Sequence, residues 1–357
     1  MHLQDTLGQL GQLFMVGIPQ PMLDNETRAL LQELQPSGII LFRRNYTGPA
    51  ALAVLCAELH SLFSTHTPLI AIDHEGGRVH RLSPPFTHFP AAIHLGHTGS
   101  VGLAYRVGLA MGHELRKVGI DIDFAPVLDV LTNPANSVIG NRAFSSDPYQ
   151  VALFGRAVAR GLRESGVIPC GKHFPGHGGT LMDSHEDLPH DERSQEELDR
   201  LSLYPFKQAM IEGIEMLMTA HVLYPALDSE LPATVSPKII NGLLRQHLHY
   251  DGVVVTDDLE MGAVVRHSTV GQAVVNALKA GADLLLVCHK IELALTAREA
   301  CLRAMENGEL LPQRVEEARR RIEALRKAHR SRQELSPPPQ KEHKYAQLVE
   351  EILRLSA

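Results

Sequence analysis

Apolar and polar positions along the 357-residue chain fall into two recurring patterns. Eight short runs rich in Val, Ile and Leu occupy residues 13–18, 38–42, 69–73, 122–127, 167–172, 216–221, 252–257 and 282–288. Most are apolar throughout, not at every second position, which predicts strands buried on both faces as in a parallel sheet. Longer segments with helical spacing lie between most of them, at 50–63, 102–118, 148–165 and 236–248. The last opens with Ser236 as a candidate N-cap and Pro237 at the first helical position. Repeated strand-then-helix order predicts an α/β fold, and eight strands predict one closed (β/α)8 TIM barrel. No G-x-G-x-x-G follows the first strand, which argues against a nucleotide-binding open sheet. After Pro312 a charged helix carries Val315, Ala318, Ile322 and Leu325 on one side and is expected to pack on the outside of the barrel. Pro337, Pro338 and Pro339 then break the chain, and 343–355 reads as a terminal helix. The expected organisation is a barrel over 1–330, then a Pro-containing linker and C-terminal helical extension over 331–357.

Composition narrows the function without choosing it. Hydrophobic residues make up 44% and charged residues 21%, as in ordinary globular proteins. A net charge of -7 and the absence of a long basic run argue against a nucleic-acid partner. Cys56, Cys170, Cys288 and Cys301 are widely spaced, as free thiols in a reducing compartment would be. No signal-like N-terminus and no membrane-spanning apolar run is present, so a cytoplasmic protein is expected.

Polar residues stand where several strands end: Asp73, Lys172 with His173, His221 and Asp257. In a barrel those ends share the face that carries the active site. The segment 172–190 is denser still, with four histidines, three carboxylates and a lysine. One reading is a metal site built on His173, His177, Asp183, His185 and His190. Pro175 and Gly176 disfavour the helix that would align His173 with His177, and the first strand offers no ligand. A second reading is proton transfer. Asp183 and His185 are two apart, so in a loop the carboxylate can hold the imidazole's tautomer and orientation. Gly176, Gly178 and Gly179 would let such a loop close over a substrate. A third is a loop whose histidines only bond the backbone.

These residues carry a resemblance. The run Lys172-His173-Phe174-Pro175-Gly176-His177-Gly178, followed after four residues by Asp183-Ser184-His185, resembles the signature of bacterial β-N-acetylhexosaminidases of glycoside hydrolase family 3. The stretch from Asp73 through Glu75, Gly76, Gly77, Arg78 and Val79 to Arg81 is similar to a second family segment. Gly140, Arg142, Ala143 and Phe144, then Asp147-Pro148, fit a third. Thr219-Ala220-His221 and Val255 through Met261 complete a set in matching order over about residues 10–330.

The resemblance implies a (β/α)8 barrel and a retaining glycosidase, with Asp257 as nucleophile, His185 as general acid/base and Asp183 tuning it. Asp257 is preferred to Asp258 because the family places the nucleophile directly after the small hydroxyl residue; Asp258 reads as a helix N-cap or hydrogen-bond partner. Asp73, Arg81, Arg142, Lys172 and His173 would bind sugar hydroxyls. The implied substrate is a peptidoglycan fragment, N-acetylglucosaminyl-β-1,4-anhydro-N-acetylmuramic acid with or without peptide, cleaved without cofactor or metal. No Trp occurs and aromatics are 5%, which suits a short substrate. The alternatives are a phosphorylase of the same glycosides, a metal-dependent amidohydrolase, and a sugar-binding barrel without activity.

Overall fold

The computed structural model describes residues 3–180, 184, 187–335 and 345–357. Each of the eight expected runs matches one strand, and only the fifth strand extends past its run, by two residues: β1 Phe14–Gly17, β2 Gly38–Leu41, β3 Leu69–Ile72, β4 Ile122–Asp123, β5 Ile168–Phe174, β6 Met216–Thr219, β7 Val253–Val255 and β8 Leu285–Val287. All pairings are parallel, in the order β7-β6-β5-β4-β3-β2-β1-β8. A parallel bridge between Val255 and Leu284 joins the two ends, so the sheet closes into a (β/α)8 barrel. Every strand residue is buried. Side chains fill the barrel on one face and meet the helices on the other, which is why the runs carry no alternation.

The helices Pro49–His60, Val101–Lys117 and Pro148–Ser165 match the amphipathic segments closely. The segment after Ser236 forms the wide-turn helix Lys238–His247, and the Ser236 hydroxyl accepts the Ile239 N–H at 3.2 Å, as an N-cap should. The C-terminal helix Ala346–Ser356 buries Leu348 and Ile352, and its Glu351 pairs with Arg106 at 2.9 Å. Among the described residues no helix is long and apolar enough to cross a membrane.

The helix Pro312–Leu335 departs from its expected place. Val315, Ala318, Ile322 and Leu325 are buried as the pattern requires, but the helix crosses the N-terminal end of the barrel. Its polar residues reach groups just ahead of six strands. Arg314 and Arg321 meet Asp283, Arg321 also meets Asp251, Arg326 meets Ser37 and Arg330 meets Thr67. His329 meets Asp121, and Arg332 meets Glu215. The boundary expected at 330 falls inside this helix, whose last turns hold the contacts to Asp121 and Glu215.

Asp121 is the most heavily engaged of these carboxylates. It accepts the Ile70 N–H at 2.8 Å and meets His60 at 2.7 Å and His329 at 3.0 Å. Burial works against its charge, but these hydrogen bonds prevail and hold its pKa below the usual carboxylate range. Asp121→Ala would strand buried donors without an acceptor. It is expected to lower stability by about 3 kcal/mol in chemical denaturation, with activity per folded molecule unchanged because the site lies at the opposite end.

Candidate active site

The C-terminal ends of the strands surround one opening of about 700 Å³. Six of the eight residues singled out in the sequence line it: Asp73, Arg81, Arg142, Lys172, His173 and Asp257. The other two, Asp183 and His185, lie outside the described residues.

At its floor is a buried ion cluster. The Lys172 ammonium, with its side chain 2% exposed, lies 2.7 Å from Asp73 and 2.6 Å from Glu75. Arg142 grips the same Glu75 with two N–H donors, each at 2.8 Å. Arg81 approaches the second oxygen of Asp73 at 3.6 Å. Such burial would be very unfavourable for any one of these charges alone. Burial opposes the Glu75 charge, yet Arg142 and Lys172 overcome it and hold its pKa well below normal. Burial likewise opposes the Lys172 charge, and Asp73 and Glu75 reverse that and raise its pKa. Glu75 and Lys172 therefore each hold the other's charge at the pocket floor.

Glu75 was not singled out in the sequence, although it sits inside a recognised motif. It lies beyond the end of β3, and the turn at Gly76 brings the chain back so that Glu75 N–H bonds Val79 O at 2.9 Å. Gly76 has φ +87°, and a Cβ there would press on the Pro90 carbonyl. Arg142 comes from the short turn Gly140–Arg142 in the long loop after β4. With two donors on Glu75 and a third on Val138 O, it positions Glu75 more than it offers free hydrogens.

His173 has a second partner hidden from the sequence. Asp129, fully buried after β4, meets His173 Nδ1 at 2.7 Å and also accepts the backbone N–H groups of His173 and His177. The register of β5 against β6 shifts between Gly171 and Phe174, and across that irregularity the consecutive Lys172 and His173 both face the opening. The available signal for Asp129 was a lone carboxylate within an apolar run, which needs a buried partner.

Asp257 follows β7. The Thr256 hydroxyl before it accepts the Leu286 N–H at 3.0 Å and ties this point to β8. Asp257 accepts the Asp258 N–H at 2.8 Å. Burial would raise its pKa, but the fields of His173 and His221 and this hydrogen bond leave it below the ordinary aspartate value. Asp258 behaves oppositely. Burial, reinforced by Glu260 and Asp257, pushes its carboxyl up to about 7. It accepts the N–H groups of Glu260 and Cys288, so it is a hydrogen-bond partner; the next helix, Gly262–Val265, has Met261 as its N-cap. Adjacent aspartates thus differ, the first shifted toward its charged form and the second toward its neutral form. His221 orients this segment: its Nε2 lies 3.0 Å from Asp258 O and its Nδ1 2.8 Å from Thr234.

The dense segment divides at His177. Its Nδ1 lies 2.9 Å from the Thr180 hydroxyl, which itself donates to His177 O at 3.1 Å. The His177 Nε2 lies 3.1 Å from the Ser184 hydroxyl, so both ring nitrogens have hydroxyl partners. Burial drives the His177 pKa down to about 4, which keeps the ring neutral. Ser184, between Asp183 and His185, also accepts the Ala263 N–H at 3.1 Å. The glycines here serve close packing more than hinging: a Cβ at Gly178 would collide with the Val130 carbonyl. His190 and Asp187 make surface ion pairs. Among the described residues no three His, Cys, Asp or Glu side chains form a metal-ligating group.

A parallel barrel with a carboxylate-rich pocket at its C-terminal rim is an arrangement that glycoside hydrolases use. Residues 3–325 match the family described as Glycosyl hydrolase family 3 N terminal domain. The chain belongs to that family and is a glycoside hydrolase. It is 42% identical over 295 residues to a Thiobacillus denitrificans protein named Beta-hexosaminidase, covering 81% of this chain and 80% of that one. A solved family 3 β-N-acetylglucosaminidase from Paenibacillus superposes with a TM-score of 0.92 at 40% identity, over 100% of this chain and 69% of that one. NagZ from Neisseria gonorrhoeae, solved with N-trifluoroacetyl-D-glucosamine, superposes with a TM-score of 0.79 at 33% identity, over 97% and 98% of the two chains.

Proposed function

We propose that this enzyme is a retaining β-N-acetylglucosaminidase that removes the non-reducing terminal N-acetylglucosamine from short peptidoglycan fragments. The substrate proposed is N-acetylglucosaminyl-β-1,4-anhydro-N-acetylmuramic acid, with or without its peptide, met in the cytoplasm. The observation that carries the reading is an ionised Asp257 on the rim of a pocket whose floor is the Asp73–Lys172–Glu75 ion cluster. Asp257 attacks the anomeric carbon to form a glycosyl-enzyme, and water later displaces it, so configuration is retained. His185 protonates the leaving oxygen and then takes the proton from water, while Asp183 holds its tautomer. Ser184, their neighbour in sequence, bonds His177 and Ala263, and Ala263 follows Gly262 of the pocket lining, which supports the reading. Asp73, Lys172, His173 and Arg81 hold the sugar hydroxyls, and Arg142 supports them through Glu75. Names of the relatives support the glycoside, and the four buried, unpaired cysteines support a reducing compartment.

The test is kcat/KM, which reports the glycosylation step, on aryl N-acetyl-β-glucosaminides for wild type and His185→Ala. The variant is expected to lose about 10²- to 10⁴-fold on a poor leaving group and to recover most of that loss with dinitrophenolate, which leaves without a proton. An equal loss on both would remove His185 as the acid. N-acetylglucosamine 1-phosphate formed in phosphate buffer would replace hydrolysis by phosphorolysis.

A further inference from the structure

The pocket is graded in exposure. At the floor Lys172 is 2% and Glu75 5% exposed, whereas His289 at the mouth is 56% exposed. His289 follows β8 and lies stacked on Phe42, which follows β2, with ring centroids 5.9 Å apart and planes at 23°. Both residues line the same opening as Asp257. The imidazole is held from three sides. Its backbone N–H donates to Glu260 at 2.6 Å, its Nε2 lies 3.4 Å from Asp258, and Phe42 backs the ring. Phe42 is fixed in turn by the Arg44 guanidinium 4.4 Å from its centroid, and Arg44 bonds Ile18 O and Cys288 O. Arg81, which meets Asp73 in the floor cluster, passes 5.8 Å from the same Phe42 ring. The sugar-gripping floor and the aromatic mouth are thus linked through one side chain.

An exposed ring held in place at a pocket mouth is a surface for an apolar face of a ligand, and the C–H faces of a pyranose are such a face. The ordering cost of binding is low because the ring is already immobilised. We infer that His289, backed by Phe42, is a specificity-determining residue for the leaving group and forms the contact for a second pyranose ring. One exposed ring matches one further sugar, not a polymer. The inference rests on the pocket cleaving N-acetylglucosaminides as proposed above.

The test compares N,N′-diacetylchitobiose with methyl N-acetyl-β-glucosaminide, whose leaving group has no ring. For His289→Ala, kcat/KM on the disaccharide is expected to fall roughly threefold to tenfold. Its value on the methyl glycoside, and the inhibition constant of free N-acetylglucosamine, should stay at wild-type levels. His289→Phe keeps the ring and loses Nε2, and it should restore the disaccharide rate. Equal losses on both substrates, a changed inhibition constant, no loss at all, or failure of the Phe variant to restore the rate would each overturn the inference. Wild-type protein that cleaves neither substrate would remove the functional reading and this inference together.

Discussion

Asp257→Asn is expected to lower kcat on an aryl N-acetyl-β-glucosaminide by about four orders of magnitude or more, with folding intact. The amide is close in shape and can still accept the Asp258 N–H, but it is neutral and a poor nucleophile. Stability should fall modestly at neutral pH, because the depressed pKa means that the folded protein favours the charged carboxylate over a neutral group despite its burial. The same electrostatics fix the pH dependence. A nucleophile works deprotonated, and the Asp257 pKa is depressed in the folded protein. The acidic limb of kcat/KM that it contributes should therefore lie below about pH 4, the usual aspartate value. Mass spectrometry of wild type treated with a 5-fluoro glycosyl donor should locate the adduct on the peptide holding Asp257. An adduct elsewhere, or Asp257→Asn with near-wild-type turnover, would sink the assignment.

Glu75→Gln should have the largest effect on stability of any change at the pocket. The Glu75 carboxylate is 5% exposed and accepts from both Arg142 and Lys172. The amide leaves two buried cations sharing one fewer anion, a loss of about 3–5 kcal/mol at neutral pH. The sign of its pH dependence follows from the depressed pKa of folded Glu75. Its stabilising contribution is complete above the unfolded value of about 4.3 and is lost as pH falls toward the folded value. The stability gap between wild type and variant should be full at pH 7 and narrow steadily below about pH 4. A gap that stayed constant through that range would show that the loss is not electrostatic. Freed from Glu75, Lys172 and Arg142 should also shift, so KM should rise in the fraction that folds.

The barrel was legible because doubly buried strands leave uninterrupted apolar runs, and each of the eight runs matches a strand. Pocket residues were legible where they interrupt such a run near its end: Asp73 and Asp257 follow their strands, while Lys172 and His173 lie in the last residues of β5, which runs on to Phe174. His289 directly follows the eighth run and would have been found by the same rule. Glu75 and Asp129 were hidden for a different reason. Their importance lies in partners 67 and 44 residues away, Arg142 and His173, and no local pattern records a contact at that distance. The helix Pro312–Leu335 shows the same limit. Its apolar stripe gave its buried side correctly, but its place under the barrel depends on polar groups ahead of six separate strands, none distinctive alone.

That helix also runs past the segment matched by the family description. The region matched to the family closes at residue 325, mid-helix. His329 and Arg332 lie beyond that point, and they bind Asp121 and Glu215 at the roots of β4 and β6. A polypeptide trimmed to the shared region would keep every pocket residue described here, yet leave two carboxylates at the foot of the barrel without those partners. The foot of the barrel therefore draws on side chains that lie past the matched segment, although none of them is near the pocket.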